Sequence, residues 1–258
     1  MKMKKIAMLG LTAVMTLSLL AGCGSAKSSD QGKDAKKESL TAATSADFPP
    51  YEYMEGNEYK GVDIELSKAI ADKLGLKLEI QNVPFGSIVA GVQAGKYDFG
   101  ISGITINEER KQSVNFSDSY INAIQSIIVK SDSSIKDKDD LKTVNKIGVQ
   151  TGTTGDNDAT KDYGEDKITR YTVATDAVQA LMTGKVDAVI IDNKPAQEYV
   201  KANGSALKLL PTAYEEEEYA IAINKNNEDL QKKINQALKD LKADGTIDKI
   251  LSKYGVDK

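Results

Sequence analysis

The apolar positions along the chain follow two spacings in turn, and these spacings predict amphipathic helices alternating with short strands. Over 62–74 (VDIELSKAIADKL) apolar residues recur at helical spacing, which predicts an amphipathic helix. Residues 76–83 alternate between apolar and polar, and 186–191 (VDAVII) form an apolar run typical of a buried strand. The chain closes with predicted helices at 230–243 and 246–254. Repeated strand–helix alternation favours an α/β protein with helices on both faces of its sheets.

The remaining predicted elements extend this alternation into two successive series. Further strands are predicted at 40–44, 97–102, 126–129, 146–150, 168–173 and 219–224. Further helices are predicted at 86–94, 138–141, 177–181 and 194–201, with a helical turn that Asn107 caps. Two such series in about 220 residues predict two small lobes rather than one large sheet. Because ligands of open α/β sheets bind beyond the carboxyl ends of strands, the candidate loops are 45–52, 102–110, 150–155 and 191–193.

The N-terminus has the three-part pattern of an export signal. Three lysines within the first five residues precede an apolar stretch over 6–21, which is too short for a stable membrane span. The stretch ends in Leu20–Cys23 (LAGC), which resembles the lipobox of bacterial lipoproteins. Cys23 is the single cysteine of the chain, and lipid attachment (palmitate) would consume its thiol. We therefore predict a signal peptide at 1–22 and lipidation of Cys23; a chance cysteine after an ordinary signal is the alternative.

Composition narrows the classes of function. Residues 23–39 are small, polar and charged, so we predict a flexible tether. The net charge is −4, and a negative protein is a poor candidate for binding nucleic acid. The chain contains no histidine, which removes the commonest general base and metal ligand. We expect neither a metal nor a cofactor.

One loop offers groups suited to binding a carboxylate. The predicted strand ending near residue 102 is followed by two hydroxyls, a flexible backbone and a guanidinium: Ser102, Gly103, Thr105 and Arg110. Backbone amides and a guanidinium fork suit one carboxylate bound through two hydrogen bonds. Taken alone, Arg110 is also explained as a surface charge paired with Glu108 or Glu109.

Asp192 and two phenylalanines are further candidates. Asp192 lies at the carboxyl end of the apolar strand, where it could accept an ammonium group or simply cap the helix predicted from Lys194. Phe48, in FPPYEY, and Phe85 lie in loops near strand ends. Aromatic residues there either join the core or flank a flat or aliphatic part of a ligand.

Six sequence phrases, in order over residues 40–258, give the chain a resemblance to a known family. They are FPPYEY, GVDIELSKAIADKLG, VPFGSIVAGVQAGKYDFGISGITINEERKQSVNFSDSY, IGVQTGTTG, ALMTGKVDAVIIDN and LKADGTIDKILSKYG. In these phrases the chain resembles the polar amino-acid-binding family (family 3) of ABC transporter substrate-binding proteins. The resemblance implies a two-lobed type II periplasmic-binding-protein-like fold, with a ligand cleft between the lobes and a two-strand hinge. Lobe 1 would comprise 40–120 plus 220–258, and lobe 2 would comprise 124–216.

The resemblance also implies roles for individual residues. Arg110 would clamp the ligand α-carboxylate and Asp192 would take the α-amino group. Further contacts on the carboxylate side would come from Ser102, Gly103, Thr105 and Thr154. Phe48 and Phe85 would enclose the ligand side chain.

Two positions are expected to set the specificity. Ser45 stands where several relatives carry an aspartate that binds cationic or amide side chains, and Gln150 stands at a variable position. The missing aspartate weakens the case for lysine, arginine or histidine, although Asp47 or Glu52 could substitute for it. We therefore expect a polar L-amino acid as the ligand.

Together these features predict a lipid-anchored, extracytoplasmic binding protein of an amino-acid ABC importer, with the membrane and the permease subunits as partners. We expect a monomer on a Gram-positive cell surface and no enzymatic activity. The alternatives are a cyclohexadienyl (prephenate/arogenate) dehydratase-like enzyme using Glu52 or Asp187, or a ligand-sensing module. The acidic run 215–218 fits a solvated face, with a hinge or docking role left open.

Overall fold

A computed structural model of the chain describes residues 38–211, 214 and 216–256. The predicted signal peptide, Cys23 and nearly all of the predicted tether lie outside the described residues. Ser39, which the sequence assigned to the tether, is instead the first residue of a strand. Within the described ranges, no helix combines the length and apolar character that crossing a membrane requires.

The described elements alternate along the chain. The strands are β1 (Ser39–Thr44), β2 (Asp47–Phe48), β3 (Glu52–Glu55), β4 (Glu58–Lys60), β5 (Lys77–Asn82), β6 (Phe99–Gly100), β7 (Val114–Phe116), β8 (Ile121–Lys130), β9 (Ile147–Gln150), β10 (Ile168–Tyr171), β11 (Ala188–Asp192), β12 (Leu207–Leu209), β13 (Glu216–Tyr219) and β14 (Ala222–Asn224). The helices are α1 (Val62–Leu74), α2 (Ile88–Gln93), α3 (Glu108–Ser113), α4 (Thr154–Tyr163), α5 (Ala174–Met182), α6 (Asn193–Ala202), α7 (Glu228–Ala243) and α8 (Thr246–Lys253).

Two mixed sheets organise these elements. The first has the strand order β5-β1-β6-β14-β7, with β1 parallel to β5 and β6 and β14 antiparallel to its neighbours. The second has the order β10-β9-β11-β8-β12, with β9 parallel to β10 and β11 and β8 antiparallel to β11 and β12. Helices α4, α5 and α6 contact the second sheet, and α2 and α7 contact the first. The small antiparallel sheet β2-β3-β4 contacts α1.

The two sheets are joined by a pair of antiparallel crossings. The first residues of β8 pair with β13, from Ile121 opposite Tyr219 to Ile124 opposite Glu216. The later residues of β8 pair with β11 in the second sheet. The chain enters the second half through β8 and leaves it through β13, so the second half is an insertion in the first. This arrangement confirms the predicted two-lobed α/β fold with a two-strand hinge.

Helix α1 shows how the apolar pattern produces this packing. Its apolar residues lie at helical spacing, and Val62, Ile64, Leu66 and Ile70 are all buried in the first lobe. The helix ends at Gly75, whose φ of 65° is the left-handed conformation that glycine adopts without steric cost.

Some predicted boundaries were wrong, and each has a local cause. The strand predicted at 97–102 is shortened to β6, because the backbone turns into the site loop before Gly103, where φ is +52°. The single strand predicted at 219–224 is divided, because β13 belongs to the crossing and β14 to the first sheet. The helix predicted at 138–141 is a single 3-10 turn at Asp140–Lys142. Part of the predicted loop 45–52 pairs as β2 and β3.

Candidate functional site

A small cavity lies between the loops of the two lobes. The empty space among its lining atoms, including the part open to solvent, is about 290 Å³. It is lined by Ser45, Phe48, Glu52, Phe85, Ser102, Gly103, Thr105, Arg110, Gln150, Thr153, Thr154 and Asp192. All ten residues predicted to contact a ligand are in this lining, so the structure brings the whole predicted set together. Their roles as ligand contacts stay a prediction.

The cavity is built from the segments that follow strands. β1 leads to Ser45, β6 leads to the 102–105 loop, and β9 ends at Gln150. β11 ends at Asp192 itself. These are carboxyl ends of strands in both sheets, where ligand sites of α/β proteins form.

The buried Arg110 side chain forms part of the cavity wall. Asn107 caps helix α3, and its side chain accepts a hydrogen bond from the Arg110 amide at 2.8 Å. The Arg110 side chain is 8% exposed, and its guanidinium carbon lies 5.4 Å from the centre of the Phe85 ring. Glu108 pairs instead with Lys111 on the surface. The alternative of a surface ion pair between Arg110 and Glu108 or Glu109 was therefore wrong.

The hydrogen bonds of the guanidinium go to neutral backbone carbonyls. Arg110 Nη1 donates to Thr105 O at 2.8 Å, and Nη2 donates to Gly152 O, in the other lobe, at 3.0 Å. Among the residues that the structure describes, no carboxylate forms an ion pair with Arg110. Burial lowers the pKa of Arg110, and the charges of Glu217 and Asp192 partly oppose that change. A buried cation in this state is stabilised by an incoming anion.

Asp192 is the acidic counterpart. It occupies the N-cap position of α6, but over the described residues its side chain makes no capping hydrogen bond. It accepts a hydrogen bond from the Tyr219 hydroxyl at 2.6 Å instead, so the capping alternative was wrong for its side chain. Burial, together with the charge of Glu217, raises the pKa of Asp192 to about 7. A cationic group in the cavity would favour its ionised form.

Glu217 was missed as a partner of this site. Its Oε2 accepts hydrogen bonds from Thr105 Oγ1 at 2.5 Å and from Thr154 Oγ1 at 2.9 Å. Glu217 is half-buried, whereas Glu216 and Glu218 on either side are exposed. The alternation follows from strand geometry, since successive side chains of β13 point to opposite faces. A strand prediction across the acidic run would have found the inward residue.

The opposite end of the cavity carries a hydrogen-bonded group of three side chains. Ser45 Oγ donates to Asp47 Oδ1 at 2.8 Å. Gln150 Nε2 lies 3.4 Å from Asp47 Oδ2 and 3.3 Å from the carbonyl of Thr172, and both of these groups can only accept. Ser45 Oγ and Gln150 Oε1 therefore remain as acceptors at this end of the cavity. Burial raises the pKa of Asp47, and its hydrogen bonds oppose the rise.

Two buried carboxyl groups anchor the 102–103 loop: Glu52, which is part of the cavity lining, and Asp63, which is not. Ser102 Oγ donates to Glu52 Oε1 at 2.6 Å, and the Gly103 amide donates to Asp63 Oδ2 at 2.8 Å. The Tyr120 hydroxyl also donates to Asp63, at 2.9 Å. Burial raises the pKa of Asp63 to about 6 and raises that of Glu52 well above its ordinary value. Glu52, which the sequence offered as a substitute acid, thus positions the loop through Ser102, and its burial favours the protonated form of its carboxyl group.

The aromatic residues belong both to the core and to the cavity. Phe48 stacks on Tyr51 with ring centres 6.0 Å apart, and Tyr51 meets Tyr219 edge-on at 5.2 Å. Gly103 packs under these rings: a Cβ there would lie 3.1 Å from Tyr219 and 3.2 Å from Phe48. The two interpretations of Phe48 are therefore compatible, since it belongs both to a core cluster and to the cavity lining.

Comparisons with known proteins identify a family and several similar proteins. The profile of the bacterial extracellular solute-binding proteins, family 3, matches residues 40–257. The arginine-binding extracellular protein ArtP of Bacillus subtilis (strain 168) is 37% identical over 98% of this chain and 98% of its own. The solved structure of an ancestral arginine-binding protein bound to glutamine is 42% identical, covering 84% of this chain and 98% of that chain, with a TM-score of 0.81.

A second similar structure is connected by its description to an enzyme. It is the ancestral amino acid-binding protein AncCDT-1, described as a precursor of cyclohexadienyl dehydratase. It is 35% identical to this chain, with a TM-score of 0.79, and covers 84% of this chain and 95% of that chain.

Proposed function

We infer the function of this chain from its family, because it belongs to the bacterial extracellular solute-binding proteins, family 3. It captures one free amino acid with a polar side chain and delivers it to the permease of an ABC importer. The observation that supports this most is a buried cation and a buried acid in the wall of one cavity, Arg110 and Asp192. A free amino acid carries the two complementary charges on neighbouring atoms.

The mechanism is closure of the cleft around the ligand. Arg110 is on α3 in the first lobe and meets the ligand carboxylate, while Asp192 ends β11 in the second lobe and meets the ammonium. Neither lobe completes the site alone, so the ligand favours the closed state through contacts made only there. Closure also excludes water, which strengthens each charged contact.

The side-chain end selects ligands that carry N–H donors. Ser45 Oγ and Gln150 Oε1 offer acceptors, and the Asp47 carboxylate lies behind them. A guanidinium or a carboxamide can donate to both acceptors and is flat enough to lie between Phe48 and Phe85. A ligand carboxylate would face lone pairs there. Arginine and glutamine are therefore the favoured ligands, and both appear in the names of similar proteins.

The N-terminal sequence supports an extracytoplasmic location with a lipid anchor. A signal peptide at 1–22, lipid on Cys23 and a tether to about residue 39 would hold a monomeric binding domain on a Gram-positive cell surface. The moving units would be lobe 1 (40–120 plus 220–258) and lobe 2 (124–216). Replacing Cys23 by Ser should release the protein from the membrane fraction into the medium; retention of the variant would argue against the anchor.

Binding is tested with the purified protein, stripped of bound ligand, in a thermal-shift screen of the amino acids followed by calorimetry. We expect a clear rise in melting temperature with arginine or glutamine at saturating concentration. The variant Arg110→Ala should lose the rise, while Lys111→Ala, at the exposed neighbouring position, should keep it. An absence of any rise with every amino acid would contradict the proposed function.

A dehydratase is the second candidate, because Glu52 is a buried carboxyl group in the cavity lining and burial raises its pKa. Such a group can act as a general acid. Asp187 does not line the cavity; its carboxylate accepts from the amides of Asn145 and Lys146. Incubation with prephenate or arogenate distinguishes the two functions, since only an enzyme forms the aromatic product, and Glu52→Gln should then abolish product formation.

A further inference from the structure

Asp47 forms more contacts across the cleft than its short strand suggests. It lies on β2, in the first lobe, and is half-buried. Its Oδ2 accepts a hydrogen bond from the Ala174 amide at 2.5 Å and is 3.4 Å from Gln150 Nε2. Its backbone carbonyl accepts from the Tyr199 hydroxyl at 2.5 Å. All three donors belong to the second lobe.

The Ala174 contact completes the start of a helix. Ala174 is the first residue of α5, and the N-cap residue Val173 has an apolar side chain that provides no capping hydrogen bond. The first amides of a helix have no partner within the helix, and an acceptor there is normally supplied by Asp, Asn, Ser or Thr at the N-cap. Here a carboxylate from the other lobe supplies it, and the positive end of the helix dipole favours its negative charge.

These contacts depend on closure. Helix α5 packs on β9, β10 and β11 of the second sheet, and Tyr199 lies on α6 of the same lobe. Asp47 is held in the first lobe by pairing with Tyr53 on β3. When the lobes separate about the hinge, α5 and Tyr199 move away from Asp47, and water must replace it.

Asp47 also fixes the polarity of the ligand's side-chain subsite. Its Oδ1 accepts a hydrogen bond from the Ser45 hydroxyl, and its Oδ2 accepts one from the Gln150 side-chain amide. Those two side chains line the cavity and Asp47 does not, so Asp47 acts through them.

We propose that Asp47 is a positioning residue that caps helix α5 across the closed cleft and orients Ser45 and Gln150 as hydrogen-bond acceptors toward the ligand side chain. The inference rests on the proposed function, because it takes the cavity as an amino-acid site. It assigns two effects to one carboxylate. The first favours closure with any ligand, and the second favours ligands whose side chains donate hydrogen bonds.

Two substitutions separate these effects. Asp47→Ala removes both, so the affinities for arginine and glutamine should fall together by about twofold to thirtyfold, as for a lost helix N-cap. Asp47→Asn keeps an acceptor for Ala174 and Gln150, since Asn caps helices as well as Asp does. Its amide, however, would donate to Ser45 Oγ and leave the Ser45 hydroxyl free to donate to the ligand.

The expected result for Asp47→Asn is therefore a change of preference rather than a general loss. The ratio of the glutamine affinity to the glutamate affinity should fall by about tenfold, as for one hydrogen bond of changed polarity. Tyr199→Phe should weaken every ligand by a similar, smaller factor. The matched control is Asp176→Asn, at an exposed acid in the first turn of the same helix, which should leave all affinities unchanged.

The measurements are calorimetric affinities for arginine, glutamine and glutamate, with the melting temperature of each ligand-free variant. If wild-type protein binds and Asp47→Ala binds as tightly, the closure effect is refuted. If Asp47→Asn keeps the wild-type preference, the orienting effect is refuted. If wild-type protein binds no amino acid, the proposed function itself fails. A purely structural role would lower the ligand-free melting temperature without changing the preference, which would also overturn the inference.

Discussion

The two ends of the cavity are built in opposite ways. At one end Arg110 and Asp192 are buried charged groups whose hydrogen bonds go to neutral partners, a carbonyl or a tyrosine hydroxyl. At the other end Ser45 and Gln150 are uncharged and already bonded to Asp47. Under the proposed function, the first end would bind the two charges that every free amino acid shares, and the second end would distinguish one side chain from another.

The two ends therefore affect closure in opposite directions when no ligand is present. Burial lowers the pKa of Arg110 and raises that of Asp192, so closing the empty cleft is opposed by the charged forms of both groups. The contacts of Asp47 with Ala174 and Tyr199 need no ligand and favour closure. Under the proposed function, a ligand would remove the opposition at the first end by pairing both charges. We therefore expect the cleft to be open more often when empty than when loaded.

Among the tests of this comparison, Arg110→Met should have the largest effect on binding. Removing the cation leaves the ligand carboxylate buried and unpaired, so we expect about 2–5 kcal/mol of binding free energy to be lost for every amino acid. The ligand-free protein should be as stable as wild type or more so, because an apolar side chain replaces a buried charge. Calorimetry and thermal unfolding measure the two quantities. Near-wild-type affinity in Arg110→Met, with Lys111→Met as control, would contradict the charged-end assignment.

The pH dependence of closure is the next test. In the closed, empty cleft the pKa of Asp192 is raised to about 7, whereas in an open, solvated cleft it should be close to its ordinary value of about 3.9. The closed form then binds the extra proton, so closure of the empty cleft becomes easier as pH falls through 7 and harder as pH rises to it. The radius of gyration of ligand-free protein should be smaller at pH 5 than at pH 8. Asp192→Asn should remove the difference, and an unchanged difference in that variant would assign it to another group.

The part of the site that local sequence could predict is the part carried by strand ends. Asp192 ends an apolar strand, Arg110 lies beyond the loop that follows another, and the six phrases of the family resemblance implied their roles. The simpler structural alternatives were a surface charge for Arg110 and a helix cap for Asp192. Only the burial of these side chains and their hydrogen-bond partners in the folded structure exclude those alternatives. Local patterns contain neither.

The missed partners share a physical cause. Asp47 and Ala174 are 127 positions apart, and Thr105 and Glu217 are 112 apart, so no periodicity within either segment reveals the contact. The division between β13 and β14 was missed for a related reason. Residues 219–223 are buried without interruption, so the apolar pattern does not show where the chain leaves the crossing and joins the first sheet.

Gly103→Ala tests whether the two ends share one rigid wall. Gly103 has φ +52°, and an added Cβ would meet Tyr219 and Phe48 at 3.1 and 3.2 Å. We expect a loss of about 1–3 kcal/mol in the free energy of unfolding, with weaker binding because the 102–105 loop shifts. Gly56→Ala is the matched control: its φ is +60°, but nothing lies within 4 Å of the added Cβ. Equal effects of the two substitutions on binding would show that the loop tolerates the shift.

Ser45→Ala should have the smallest effect on binding, and it isolates the selection of the ligand's side chain. It removes one acceptor from the side-chain end, so binding of arginine and glutamine should weaken by about 0.5–1.5 kcal/mol, the net contribution of one hydrogen bond. An amino acid without a side-chain donor, such as methionine, should bind the variant as it binds wild type. Ser87→Ala, which removes a hydroxyl bonded to the Pro84 carbonyl away from the cavity, is the control. Calorimetry with the three ligands decides the outcome: a selective loss supports selection by Ser45, whereas an equal loss for all three would assign its effect to closure through Asp47.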